Sequence, residues 1–97
     1  MHTIKTCITW DSVKEKSNRL KHRIYFSEME PVFYDPHAIS FEDKNSKSEA
    51  RYVVIGLDAL ERVVVVVYTY RGNIIRLISA RKAGKAERTI YEEGIRF

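Results

Sequence analysis

The sequence predicts an α+β domain, an antiparallel meander of strands with two helices before it and one after. Segments rich in valine, isoleucine and tyrosine follow one another from His37 to Arg81, joined mostly by short polar turns. Strands connected that tightly pair antiparallel. Asp11 stands directly before a run of helix formers, where its carboxylate can accept the free amides of a first turn. A second helical composition, Gly84 to Glu93, closes the chain. Helices, then strands, then a helix imply helices on one face of the sheet and an open opposite face.

Each element follows from its residues. Thr3 to Trp10 alternates weakly, with Ile4, Cys7, Ile8 and Trp10 apolar, and reads as a short strand in which the Cys7 thiol is buried. The helix capped by Asp11 runs to about His22. Val13 and Leu20 supply a narrow apolar stripe, while Lys14, Lys16, Arg19, Lys21 and Arg23 make a solvated face. A shorter helix covers Ser27 to Tyr34, starting either at a Ser27/Glu30 capping box or nearer Glu30 with Pro31 first. Asp35-Pro36 ends it, because a residue before proline is pushed out of the helical region. His37 to Phe41 is the next strand, Glu42 to Glu49 a polar loop, and Arg51 to Leu57 another strand. Asp58 to Glu61 turns the chain into Arg62 to Tyr70, and Asn73 to Arg81 follows after a Gly72-Asn73 turn. In the last helix Ala83, Ala86, Ile90 and Tyr91 are expected to face inward, and Trp10 and Phe33 belong to the core.

A chain of 97 residues makes one domain, residues 1–97, with a single core. With 44% hydrophobic and 31% charged residues it reads as soluble and globular. Its longest apolar run, Val63 to Tyr68, falls far short of the roughly 20 residues that span a bilayer, so no membrane role is expected. No secretory leader opens the chain and Cys7 is alone, so the expected compartment is the cytoplasm. His2, His22 and His37 lack metal-ligand spacing, and neither a metal nor another cofactor is expected. The net charge of +4 and pI near 9.3 point to a polyanionic partner, either nucleic acid or an acidic protein.

Arginines sit where strands usually carry apolar side chains. Arg71, Arg76 and Arg81 surround one hairpin, and guanidinium is the side chain best shaped for phosphate. Alternation puts Ile75, Leu77, Ser79 and Arg81 on one face of the last strand and Ile74, Arg76, Ile78 and Ala80 on the other. Burying Arg76 without a partner would be unfavourable, so its face is taken as the open one. A twist or bulge could bring Arg81 to the same cleft. Ser79 reads as a hydrogen-bonding strand residue, since no His/Asp companions mark it as a nucleophile.

The ordered set Trp10-Asp11, Lys14, Asn18 and Lys21-His22 resembles the opening of BrnT-type toxins. Phe33-Tyr34-Asp35-Pro36, Arg51, Ile55-Gly56, Val65 to Thr69, Arg71-Gly72, Arg76, Ile78 to Arg81, Glu87-Arg88 and Tyr91-Glu92 continue the resemblance. It implies a RelE-like α+β fold and an endoribonuclease toxin of a type II toxin-antitoxin system that arrests translation. It also implies a cognate antitoxin that masks the toxin and carries it to operator DNA. Two positions depart from the pattern. Arg23 replaces the glycine that usually follows Lys-His, which puts the placing of His22 in question, and Tyr70 stands where many members are acidic.

Metal-free RNA cleavage needs a base for the 2′-OH, cations for the phosphate and an acid for the leaving 5′ oxygen. Arginine can serve only as the cation. Arg76 and Arg81 are the candidate phosphate-binding residues, and His22, Lys21, Glu92 and Tyr91 the candidates for proton transfer. Arg71, Ser79, Tyr91 and Arg88 are candidate RNA contacts. The alternative is a non-catalytic module of the same fold that binds nucleic acid or protein.

Overall fold

The computed structural model describes residues 7–95, so the part of the first expected strand from Thr3 to Thr6 lies outside the described residues. Strand β1 (Ile8–Trp10) leads straight into helix α1 (Ser12–His22). Asp11 caps that helix, its Oδ1 accepting the amides of Val13 at 2.7 Å and Lys14 at 3.4 Å. The helix ends in Arg23, which takes the left-handed conformation (φ 58°, ψ 36°) and donates its amide to the Arg19 carbonyl at 2.8 Å. A side chain crowds the backbone there. Arg23→Gly is therefore expected to stabilise the protein by about 1 kcal/mol and to raise Tm by roughly 4–8 °C. A Tm that stays put or falls on thermal denaturation would refute this account of the helix end.

In place of the expected second helix the chain makes two short 3₁₀ stretches, Phe26–Glu28 and Glu30–Tyr34, with Pro31 at the start of the second. The reason is visible in the side chains. Phe26, Met29 and Val32 are all buried, and a spacing of three matches the 3₁₀ period rather than the α period.

Strands β2 (Ile39–Asp43), β3 (Arg51–Leu57), β4 (Val63–Arg71) and β5 (Ile74–Lys82) follow, then helix α2 (Lys85–Glu93). The sheet has five strands in the order β1-β5-β4-β3-β2. Pairing is antiparallel from β2 through β5, but β1 lies parallel to β5, with Ile8 opposite Ile75 and Trp10 opposite Leu77. The sheet is thus mixed rather than wholly antiparallel. Between β1 and the meander run α1 and the 3₁₀ segment, a connection long enough to permit a parallel neighbour. Gly72, with φ 63°, is the first residue of the two-residue turn that joins Arg71 to Ile74, a place where glycine suits the strand twist.

Both faces of the sheet are covered in part, which corrects the expectation of helices on one side. Ile24, Phe26, Met29 and Val32 pack on Val54, Val64, Val66, Tyr68, Ile75 and Leu77. On the opposite face α2 lays Tyr91 over Ile55, Val65 and Ala83. The unbroken valine run in β4 required this, because a strand apolar at every position must be covered on both sides. The helices also turn differently than their stripes suggest. Val13 and Leu20 are each 74% exposed, Ala86 and Ile90 face solvent, and the residue α1 buries is Asn18. Cys7 is exposed rather than buried.

Two polar clusters lock the connections. Asp58, 4% exposed, accepts the amides of Leu60 and Arg62 and the Arg62 guanidinium, which also reaches Glu28 at 3.0 Å. Asp35 accepts the amides of His37 and Leu57, each at 2.9 Å, and the Tyr91 hydroxyl at 2.6 Å, which ties α2 to the end of the 3₁₀ segment. Burial works to raise the Asp35 pKa, yet these three donors outweigh it and hold the carboxyl below its usual range. Burial first, and then the carboxylate, push Tyr91 up to about 12. Gly56 admits this cluster, since a Cβ there would stand 3.2 Å from both Asp35 Oδ2 and Val32 Cγ1.

Candidate functional site

A bulge in β5 decides which side chains share a face. Val67 pairs with Ser79, but its neighbour Tyr68 pairs with Leu77, leaving Ile78 as the extra residue. Simple alternation is broken there. Leu77 and Ala80, three apart, both face the larger core, while Arg76, Ser79 and Arg81 come to the opposite face. Ser79 and Ala80 therefore exchange the faces that an unbroken strand would give them.

The rows on that face can be read across the sheet. Ile55, Val65 and Arg81 form one, and Val53, Val67 and Ser79 the next. In the third, Thr69 lies beside Arg76, and Arg51 follows one step beyond the Tyr52–Tyr68 pair. Helix α2 packs Tyr91 against Ile55 and Val65 of the first row, and Val53 of the second row borders the same cluster. The row with Arg51 and Arg76 lies beyond the residues it packs on.

Helix α1 walls the other side. Beyond Leu77, β5 has no neighbour in place of β1, and the Asn18 side chain takes over that edge. Its Nδ2 donates to the Ala80 carbonyl at 2.8 Å, and its Oδ1 accepts the Ala80 amide at 3.0 Å. A primary amide offers one donor and one acceptor side by side, as a neighbouring strand would. Between α1 and the bulge lies an open cleft of about 260 Å³ lined by Lys14, Ser17, Asn18, Lys21, His22, Ile78 and Ser79. Arg76 stands on the same face as Ser79, near the helix start. There the amides of Val13 and Lys14, and then the charges of Arg76 and Lys14, hold the Asp11 carboxyl below its usual range.

The structure thus gathers Lys21, His22 and Ser79 at one cleft, with Arg76 next to it. Arg81 shares the face, but its guanidinium forks onto Glu87 at 2.7 and 2.6 Å. Glu87 also accepts the Gly84 amide at 2.8 Å, capping α2. The Arg81 hydrogen bonds above all, and then that amide, hold the Glu87 carboxyl at about 2. Glu87 is the acid that engages Arg81. The remaining candidates stand apart from the cleft. Tyr91 is buried against Asp35, Arg88 reaches the Ala83 carbonyl at 3.4 Å, and Glu92 is exposed on α2. Arg71, at the far end of β4, pairs with Glu49 at 3.8 Å.

Lys14 and Arg51 carried no role in the sequence reading. Lys14, Asn18 and Lys21 recur at i, i+4 and i+7, the spacing of one helix face, and that signal was available. Counting back by twos from Leu57 through Ile55 and Val53 brings Arg51 to the same sheet face. Among the described residues no group of three or more His, Cys, Asp or Glu is arranged to hold a metal ion. No described helix is long and apolar enough to cross a membrane.

Comparison with known proteins places these features in context. The family described as ribonuclease toxin, BrnT, of type II toxin-antitoxin system matches residues 10–87. The crystal structure of the Brucella abortus ribonuclease toxin BrnT superposes with a TM-score of 0.67 at 26% identity, covering 82% of this chain and 99% of that one. A search of the curated proteins finds no match.

Proposed function

Because this chain belongs to the BrnT family of ribonuclease toxins of type II toxin-antitoxin systems, we propose that it cleaves RNA at the cleft between α1 and the β5 bulge, without a metal ion. The observation that carries the reading is the convergence of Lys14, Lys21, His22 and Ser79 on that cleft, with Arg76 beside it. His22 is the first candidate for the base. In the proposed reaction it takes the 2′-OH proton, and the 2′ oxygen attacks the phosphorus. Arg76 and the lysines bear the growing charge on the phosphoryl oxygens, the bond to the 5′ oxygen breaks, and a proton is delivered to it. The products are a 2′,3′-cyclic phosphate and a free 5′-OH. Arg81 can join only by exchanging Glu87 for phosphate. Arg71, Arg88, Tyr91 and Glu92 are assigned to binding or folding rather than to the chemistry.

The same reading assigns the chain a RelE-like single domain acting in the cytoplasm, where RNA cleavage inhibits translation. A cognate antitoxin covers the basic cleft and supplies the contact with operator DNA. The net charge of +4 suits an acidic or amphipathic antitoxin segment.

The test is cleavage of RNA by the purified toxin, freed of antitoxin, in excess EDTA. Continued cleavage with cyclic phosphate ends is expected, and DNA of the same sequence should stay intact because it has no 2′-OH. In His22→Gln the rate should fall by about 10²–10⁴-fold, the usual contribution of a general base. Activity lost in EDTA and restored by Mg²⁺ would refute the metal-free mechanism. A full rate in His22→Gln would transfer the base to Lys21, the other proton-transfer candidate at the cleft, and a folded wild type that never cleaves RNA would leave a non-catalytic binding module.

A further inference from the structure

We propose that Arg51 is a second phosphate-binding arginine, so that the RNA strand lies across β3, β4 and β5 from Arg51 to Arg76. The proposal rests on the RNA-cleaving reading above and adds the path of the substrate to it. Arg51 Nε is a buried side-chain polar atom with no hydrogen-bond partner among the described residues. A buried donor left unpaired is unfavourable enough that native proteins seldom keep one without a use. Its acidic neighbours do not satisfy it. Asp43, opposite Arg51 in the β2–β3 register, accepts the Asn45 amide at 3.0 Å, and Glu49 faces Arg71.

A single strand, β4, separates the two arginines. Thr69 lies between them in β4, 3% exposed, with its hydroxyl turned down onto the Ala50 carbonyl at 2.6 Å. Arg51 and Arg76 are two strand spacings apart, about 10 Å between backbones, a distance that two arginine side chains bridge to successive phosphates. Arg76 shares the sheet face of Ser79, which lines the cleft with Lys21 and His22, while Arg51 is two strands away, so the phosphate on Arg51 is a flanking one. Arg51 then contributes equally to substrate and transition state, which places its effect on KM and not on kcat.

Binding of a 2′-O-methyl RNA oligonucleotide, which the proposed chemistry cannot cleave, is measured over a range of salt. Arg51→Ala is expected to weaken binding about tenfold and to lower the slope of log K against log salt by about 0.7. Arg51→Lys keeps the charge and should restore the slope. In cleavage of a long RNA, Arg51→Ala should raise KM about tenfold with kcat within about twofold of wild type. Arg51→Gln, closer in size, takes its place if the alanine variant does not fold. An unchanged salt slope in a folded variant would overturn the proposal, and so would a loss confined to kcat. A wild type that binds the oligonucleotide in this Arg51-dependent way without cleaving RNA would support the contact and refute the catalytic reading separately.

Discussion

Arg76→Ala is expected to slow RNA cleavage about 100-fold at saturating substrate and to leave Tm within a few degrees of wild type. Among the described residues the Arg76 guanidinium has no ion pair, and it stands on the half of the sheet face that α2 leaves uncovered. Its charge is felt by Asp11 at the start of α1, yet Asp11 is already capping the helix through two amides. Removing the side chain therefore orphans little. In the proposed mechanism the loss is of a cation beside the phosphate at the moment its charge grows, and such donors are typically worth 10²–10³-fold in rate. Arg81→Ala should behave differently. It breaks a two-bonded fork to Glu87 and loosens the cap of α2, so lower stability should accompany any loss of rate. Cleavage by folded Arg76→Ala within a few fold of wild type would remove Arg76 from the chemistry.

Asn18→Ala is expected to destabilise the protein by about 3 kcal/mol, since it strips two hydrogen bonds from a buried backbone position and leaves donor and acceptor unpaired. The corresponding fall in Tm is roughly 12–24 °C for a chain of this size. Asn18→Asp should be no better, because a carboxylate accepts the Ala80 amide but repels the Ala80 carbonyl. The same bonds hold α1 against the bulge, so whatever folded fraction remains should also cleave poorly. Urea denaturation gives the magnitude. A loss below about 0.5 kcal/mol would mean that water or a neighbouring strand satisfies Ala80 equally well.

Much of the molecule is legible from local rules. Asp11 announced the start of α1, Pro36 the end of the 3₁₀ segment, and Gly72-Asn73 the last hairpin, because caps and turns are decided by a few adjacent residues. The pattern around Trp10-Asp11, Lys21-His22, Arg76 and Ile78 to Arg81 identified the family that the comparisons bear out. The second helix was misread because its three-residue spacing of Phe26, Met29 and Val32 was not weighed against the α period.

The sequence by itself determined the succession of α1, the meander strands and α2, the cap of α1, the last hairpin turn, the family and the arginines worth testing. Tertiary structure alone decided which candidate residues meet at one cleft. Whether Ser79 faces Arg76 or Leu77 depends on one extra residue in a pairing between strands, and alternation within a strand is blind to its partner's register. That Asn18 completes the edge of β5 requires two residues far apart in the chain to meet with matched donors and acceptors. That α2 covers the Arg81 end of the sheet and leaves Arg51 and Arg76 beyond it follows from the docking of Tyr91 on Asp35. Local propensity gives each segment a shape, but it is long-range pairing and burial that choose which faces meet.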